Sequence, residues 1–171
     1  MTHQPAISFS ISFLSPFNRA GGRTSNVLQE MTLDEAFAQL RQKSDTSSLH
    51  PLRLPTEEEV AAVEDELGIS FYPDYRRFQL EASNVDCGVL EPGLVLSGLQ
   101  AYLDLRVIAG KGWQVGVPRD SLPFCTDNGN YYFIDPLGTV RYWDHDSGGE
   151  SGRRATFAEW IMEDWLFDYE E

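Results

Sequence analysis

Residues Ala6 to Phe13 alternate strictly, with Ile7, Phe9, Ile11 and Phe13 on one side and Ser8, Ser10 and Ser12 on the other. That period of two predicts a half-buried strand. Ser15 to Asn26 is rich in Ser, Gly, Asn and Arg and reads as a loop. Three helices are then predicted by one device, a Thr followed three residues later by a Glu, whose side chains can satisfy the orphan N–H groups of a helix start. They begin at Thr32 (with Glu35), Thr56 (with Glu59) and Thr156 (with Glu159). The first continues through Leu33, Phe37 and Leu40 and dissolves in the polar stretch Lys43 to His50. The second carries Val60, Val63 and Leu67 on one face and Glu57, Glu58, Glu64 and Asp65 on the opposite one, and stops at Gly68. The third carries Phe157, Trp160, Ile161 and Trp165 before an acidic tail, Asp168 to Glu171.

Between these lie weaker patterns. Asp74, after Pro73, is expected to cap a short helix bearing Tyr75 and Phe78. Leu99, Tyr102, Leu103 and Val107 suggest another helix ending near Gly110 and Gly112, and Val85 to Ser97 suggests a short strand bounded by Gly88, Pro92 and Gly93. The clearest local feature is Pro123 to Asp146. Asp135-Pro136-Leu137-Gly138 has the residue preferences of a type I turn. Its flanking strands alternate Tyr131 and Phe133 with Tyr132 and Ile134, and Val140 and Tyr142 with Thr139, Arg141 and Trp143. Both faces carry aromatics, so one is core and the other is either covered by a helix or left as a sticky surface. Helices, then strands, then a helix argue for an α+β fold, a single domain with an antiparallel sheet of about four to six strands.

Composition narrows the function. The 171 residues, 42% of them hydrophobic, suffice for one core. The formal charge is −14, and residues 1–50 hold four basic and four acidic side chains, so the whole excess falls in residues 51–171. Such a field repels nucleic acid and anionic membrane and favours basic partners, although acidity also serves solubility alone. Cys87 and Cys125 have neither metal-ligand spacing nor a disulfide framework and read as reduced core residues. Neither a signal peptide nor a membrane span is supported, which predicts a cytoplasmic protein.

Hydrolase, zinc-protease, Walker and dinucleotide motifs are absent from the sequence. The cluster Asp127, Asp135, Asp144, His145 and Asp146 could in principle hold Mg²⁺ or Mn²⁺ for phosphoester hydrolysis. Its order does not fit a calcium loop, Asp135 is already used by its turn, and His3 and His50 stand in other segments. No metal or cofactor is therefore expected.

Several motifs in order resemble one family. Pro55-Thr56-Glu57-Glu58-Glu59-Val60, then Val63 to Gly68, then Pro73-Asp74-Tyr75-Arg76-Arg77-Phe78 are similar to the opening of the SUKH superfamily. Gly88 to Gly93, Gly116-Val117-Pro118, Pro123 to Phe133, Gly138-Thr139-Val140, Trp143-Asp144-His145 and Trp160-Ile161 extend the resemblance over about residues 33 to 167. Where the family commonly has Asn-Gly-Gly, this chain has Ser83-Asn84-Val85-Asp86. The superfamily includes a yeast cell-wall assembly regulator and many bacterial immunity proteins. The resemblance implies an N-terminal extension (1–31) with one strand and a SUKH-like domain (32–171). It implies no catalysis but binding of a cognate toxin, often a nuclease, from a polymorphic, type VI or contact-dependent system; a regulatory scaffold is the alternative and a metal-dependent hydrolase the third choice. The residues expected to meet a basic toxin are Glu91, Asp127, Asn128, Tyr132, Asp144, His145 and Asp146, with Tyr132 at the centre. Oligomeric state is open, a dimer being favoured if the Ala6–Phe13 edge is unpaired.

Overall fold

The computed structural model describes residues 31–44 and 53–167. The predicted strand Ala6–Phe13, the loop after it, residues 45–50 and the tail from Asp168 lie outside the described residues. The order is α1 (Leu33–Lys43), α2 (Glu57–Leu67), α3 (Pro73–Glu81), α4 (Leu105–Gln114), β1 (Leu122–Asp127), β2 (Asn130–Ile134), β3 (Val140–Asp144), β4 (Gly149–Arg154) and α5 (Phe157–Trp160), which runs into a π-helical turn, Ile161–Trp165. The four strands form one antiparallel meander in sequence order.

The two upstream capping boxes form as expected. Glu35 N–H donates to Thr32 Oγ1 at 3.3 Å while Thr32 N–H donates to the Glu35 carboxylate at 2.9 Å, and Thr56 and Glu59 repeat both bonds at the same lengths. Gly68 ends α2 with a left-handed φ of 66°. At Thr156 only half the device is present, because the Glu159 carboxylate accepts from Ala155 N–H at 2.8 Å rather than from the cap residue. Leu166 N–H then reaches back five residues to the Ile161 carbonyl at 2.9 Å. The wider turn lets Trp165 and Leu166 join Phe157, Trp160 and Ile161 in the core.

Three expectations are corrected. Asp74 does not cap α3; the helix starts with Pro73 at its first position and no side-chain cap on Tyr72. The fourth helix begins later, at Leu105 behind the cap Asp104, and passes through both Gly110 and Gly112. Gly112 is there for contact: a Cβ on it would fall 2.5 Å from Pro123 Cβ, so its bareness lets α4 lie directly on β1. Val85–Ser97 is not a strand but a ledge that touches β1 through one bridge, Pro92 to Cys125. Side chains replace the missing ladder, since the Gly93 carbonyl accepts from Tyr75 Oη at 2.7 Å and from Gln79 Nε2 at 2.8 Å.

The main core collects the inward faces of α1, α2 and α3, α5 and the π turn against Leu122, Phe124, Cys125, Ile134 and Val140. Phe124 occupies a bulge in β1 and meets Trp160 edge-on at 4.7 Å and Phe157 at 5.5 Å. The opposite face, Tyr131 and Phe133, is covered by Ile108 of α4 and by Val117, with Trp113 and Trp143 packed beside them. The second aromatic face of the hairpin is thus buried under a helix, not sticky. Cys87 and Cys125 are both free and buried, and burial pushes the Cys87 thiol up to about 11 and Cys125 further in the same direction.

Candidate functional site

Consecutive antiparallel strands alternate their turns between the two ends of the sheet. The β1–β2 turn (Asp127 to Asn130) and the β3–β4 turn (Asp144 to Gly149) therefore share one end, and the Pro136–Leu137 turn lies at the other. Asn128 and Gly129 form a two-residue loop with φ of 49° and 92°, both positive, as the tightest hairpins require. Asn is one of the few side-chain-bearing residues that tolerate this, so turn geometry accounts for Asn128; its amide also donates to Asp127 Oδ1 at 3.0 Å.

Asn130, which sequence reasoning passed over, ties the two turns together. Its Oδ1 accepts from His145 N–H at 3.0 Å and lies 2.7 Å from His145 Nδ1, and its Nδ2 donates to Tyr142 Oη at 2.7 Å. Tyr142 Oη donates in turn to Asp127 Oδ2 at 2.9 Å. Asp144 faces its own turn: Oδ1 accepts from Asp146 N–H at 2.9 Å and Ser147 N–H at 3.4 Å, and those amides hold its carboxyl below the usual range. His145 and Asp146 are exposed, with Nε2 of the one 3.3 Å from a carboxylate oxygen of the other.

Asp144, His145 and Asp146 are the one group of carboxylates and imidazole among the described residues whose ligand atoms gather within 4.8 Å. Asp135 is not part of it. It sits at the far turn, where its carboxylate accepts from Leu137 N–H at 2.9 Å, Thr139 N–H at 3.0 Å and Arg141 Nε at 2.8 Å. The five-residue hydrolytic cluster weighed from sequence is thereby split between two ends of the sheet.

Tyr132 is half-buried. Its ring packs edge-on against Tyr142 at 4.8 Å and Trp160 at 5.5 Å, and its hydroxyl donates to Asp164 Oδ1 at 3.4 Å. It lines a groove of about 270 Å³ together with Asp127, Tyr142, Arg154 and Asp164. Burial raises the Asp164 carboxyl despite Arg154, whose Nε lies 2.9 Å away. The ring is committed to packing, and the groove rather than a projecting aromatic is what it offers. Glu91 is exposed on the ledge beside the outer edge of β1. Because the Pro92–Cys125 bridge is antiparallel, Glu91, just before Pro92, lies toward the end of the sheet that carries Asp127. Burial, and then the Asp86 charge, raise the Glu91 carboxyl.

A family model described as SUKH_5, SMI1-KNR4 cell-wall, matches residues 33–166. The chain is also similar to a protein from Pseudomonas syringae pv. tomato of known crystal structure, at 29% identity and a TM-score of 0.72, covering 78% of this chain and 98% of that one. No curated protein matches. Among the described residues no helix is long and apolar enough to cross a membrane.

Proposed function

This chain belongs to the SMI1-KNR4 cell-wall family (SUKH_5), which includes toxin-immunity proteins, and from that premise we propose that it is an immunity protein that binds and neutralises a basic, secreted toxin without catalysis. The observation that carries the reading is where charge is left uncompensated. Arg53, Arg76, Arg77, Arg106, Arg141 and Arg154 each pair with carboxylates. Other carboxylates, among them Glu58, Asp65, Asp74 and Asp120, also lack an Arg or Lys within ion-pairing distance among the described residues. At the turn end of the sheet, however, unpaired Asp127 and Asp144 come from separate turns tied together through Tyr142 and Asn130, with Asp146 paired only with His145 and Glu91 on the ledge beside them. Acidity serving solubility alone would be interspersed with cations. Carboxylates gathered on rigid turns repel one another, and a cationic surface docking there relieves the repulsion and is steered in by it.

The test is co-expression with the candidate toxin encoded beside this chain. Growth rescue together with a stable purified complex is expected. Intoxication that persists despite soluble immunity protein sinks the reading and leaves a regulatory scaffold as the better account.

A further inference from the structure

Single exposed apolar side chains are ordinary, whereas two on segments packed against each other are not. Val89 is 74% exposed and Phe167 72% exposed. They stand on two segments that Trp165 joins. Its Nε1–H donates to the Cys87 carbonyl at 2.8 Å, and Gly88 packs so closely on it that a Cβ there would fall 2.8 Å from the Trp165 carbonyl oxygen. Gly88, with φ of 73°, turns the ledge outward at that point and presents Val89 at its apex, while Cys87 and Leu90 on either side point into the core. The ledge is not a loose loop. Beyond Val89 it is held by Gly93 N–H on the Phe124 carbonyl at 2.6 Å, by the two bonds to the Gly93 carbonyl and by Val95 N–H on Gln79 Oε1 at 3.2 Å.

Asp86 and Glu91 flank the apex, both exposed and close enough that the Asp86 charge helps raise the Glu91 carboxyl. Neither forms an ion pair among the described residues, although Lys43 lies close enough to Cys87 to lower its thiol. We propose that Val89 and Phe167 form the apolar centre of the toxin-docking surface, with Asp86 and Glu91 as its charged rim; this rests on the immunity reading and moves the centre of the contact away from Tyr132. The occupant is a basic protein surface whose apolar residues, or the aliphatic stems of its Lys and Arg, cover Val89 and Phe167 while their cationic heads meet the rim. A second copy of this chain is a poor occupant, because a two-fold contact would set Asp86 and Glu91 against like charges. Preorganisation of the ledge means little ordering cost on binding.

The experiment measures affinity for the neighbouring toxin, by titration calorimetry, of the full chain, of Val89→Ser and Phe167→Ser, and of Leu137→Ser. Leu137 is 83% exposed at the opposite end of the sheet and serves as the control. All three positions are exposed, so folding should survive, and circular dichroism checks it. Each of the two substitutions should weaken binding about tenfold or more, and Leu137→Ser should change nothing. Asp86→Asn with Glu91→Gln should weaken binding and flatten its salt dependence. A complex that forms with undiminished affinity in Val89→Ser and Phe167→Ser overturns this inference and leaves the immunity reading intact. A native chain that forms no complex overturns both, and self-association abolished by Val89→Ser would show that the patch serves a second copy instead.

Discussion

Gln79 is a fully buried amide whose replacement tests how the ledge is held. Its Nε2 donates to the Gly93 carbonyl at 2.8 Å and its Oε1 accepts from Val95 N–H at 3.2 Å. Gln79→Met keeps the length and approximate volume but removes both bonds. The two lost partners are not equivalent. The Gly93 carbonyl still accepts from Tyr75 Oη at 2.7 Å, whereas the Val95 N–H, on a residue only 2% exposed, is left with nothing. An orphaned buried donor costs about 1–3 kcal/mol and a lost but compensated bond about 1 kcal/mol, so the substitution should cost about 3 kcal/mol. Tyr75→Phe, which leaves the same carbonyl its Gln79 bond, should cost about 1 kcal/mol. In urea, with a slope of about 2 kcal/mol/M, Gln79→Met should lower the unfolding midpoint by about 1.5 M with the slope unchanged. Native-state hydrogen exchange should lose protection from Gly93 to Leu96 first. A midpoint shift no larger than that of Tyr75→Phe would refute the reasoning, because Val95 would then have found another partner and the ledge would not depend on Gln79.

Asp135→Asn tests the far turn. Burial pushes this carboxyl up, but bonds from Arg141, Thr139 N–H and Leu137 N–H outweigh it and leave it below the usual range. A depressed carboxyl stabilises the fold above its unfolded value of about 3.9 and stops doing so as pH falls through the folded one. The variant should therefore lose about 2 kcal/mol at neutral pH, and the difference in urea midpoint should shrink below about pH 4. Glu59 is held at about 2, first by Arg53 and then by Thr56 N–H. Its support for the start of α2 is thus present above about pH 4.3 and lost toward pH 2, and Glu59→Gln should remove that part of the acid titration seen by far-UV circular dichroism. At the turn end, Asp144→Asn with Asp146→Asn retains an oxygen to accept the turn amides, so stability should hold while toxin affinity falls about tenfold at low salt. The gap should close toward 1 M salt, where screening acts within about 3 Å; a gap independent of salt would deny the charges a role.

What was legible in the sequence was local chemistry. Thr32, Thr56 and Gly68 act within a single helical turn, and Asp135 and Gly138 within a single reverse turn, where Gly138 N–H donates to the Asp135 carbonyl at 2.9 Å. What was not legible depends on partners distant in sequence. β4, reading Gly-Glu-Ser-Gly-Arg-Arg, has no apolar period and is a strand because β3 pairs with it. Gly110 and Gly112 look like helix breakers until Pro123 is known to lie against the second of them. At the turn end, Asp127, Asn128, Asp144, His145 and Asp146 were singled out from sequence by their charge and turn character, and the structure brings them to one end of the sheet. Asn130 and Tyr142, which lock them together, carried only a weak signal: the residue closing an Asn-Gly hairpin and an aromatic two places before Asp144.

Among the described residues, the packing of the sheet constrains where a partner can reach it. One sheet face is buried under α4 and the other under α1, α3, α5 and the π turn. The outer edge of β1 is occupied by the ledge, and β4, the remaining edge, carries Glu150, Arg153, Arg154 and a bulge opposite Tyr142 and Trp143, features that discourage strand addition. Among the described residues, the turn end of the sheet and the ledge beside it are left open by this packing. Both are held by hydrogen bonds between side chains and backbone, while their exposed tips, Val89, Glu91, His145, Asp146 and Phe167, add little to the core. Substitutions at those tips can retarget binding at small cost in stability, whereas changes at Gln79, Gly88 or Asn130 would disturb the geometry that every partner meets. A fold arranged in this way can keep one core and diverge in its partners, which is what the proposed immunity role would require.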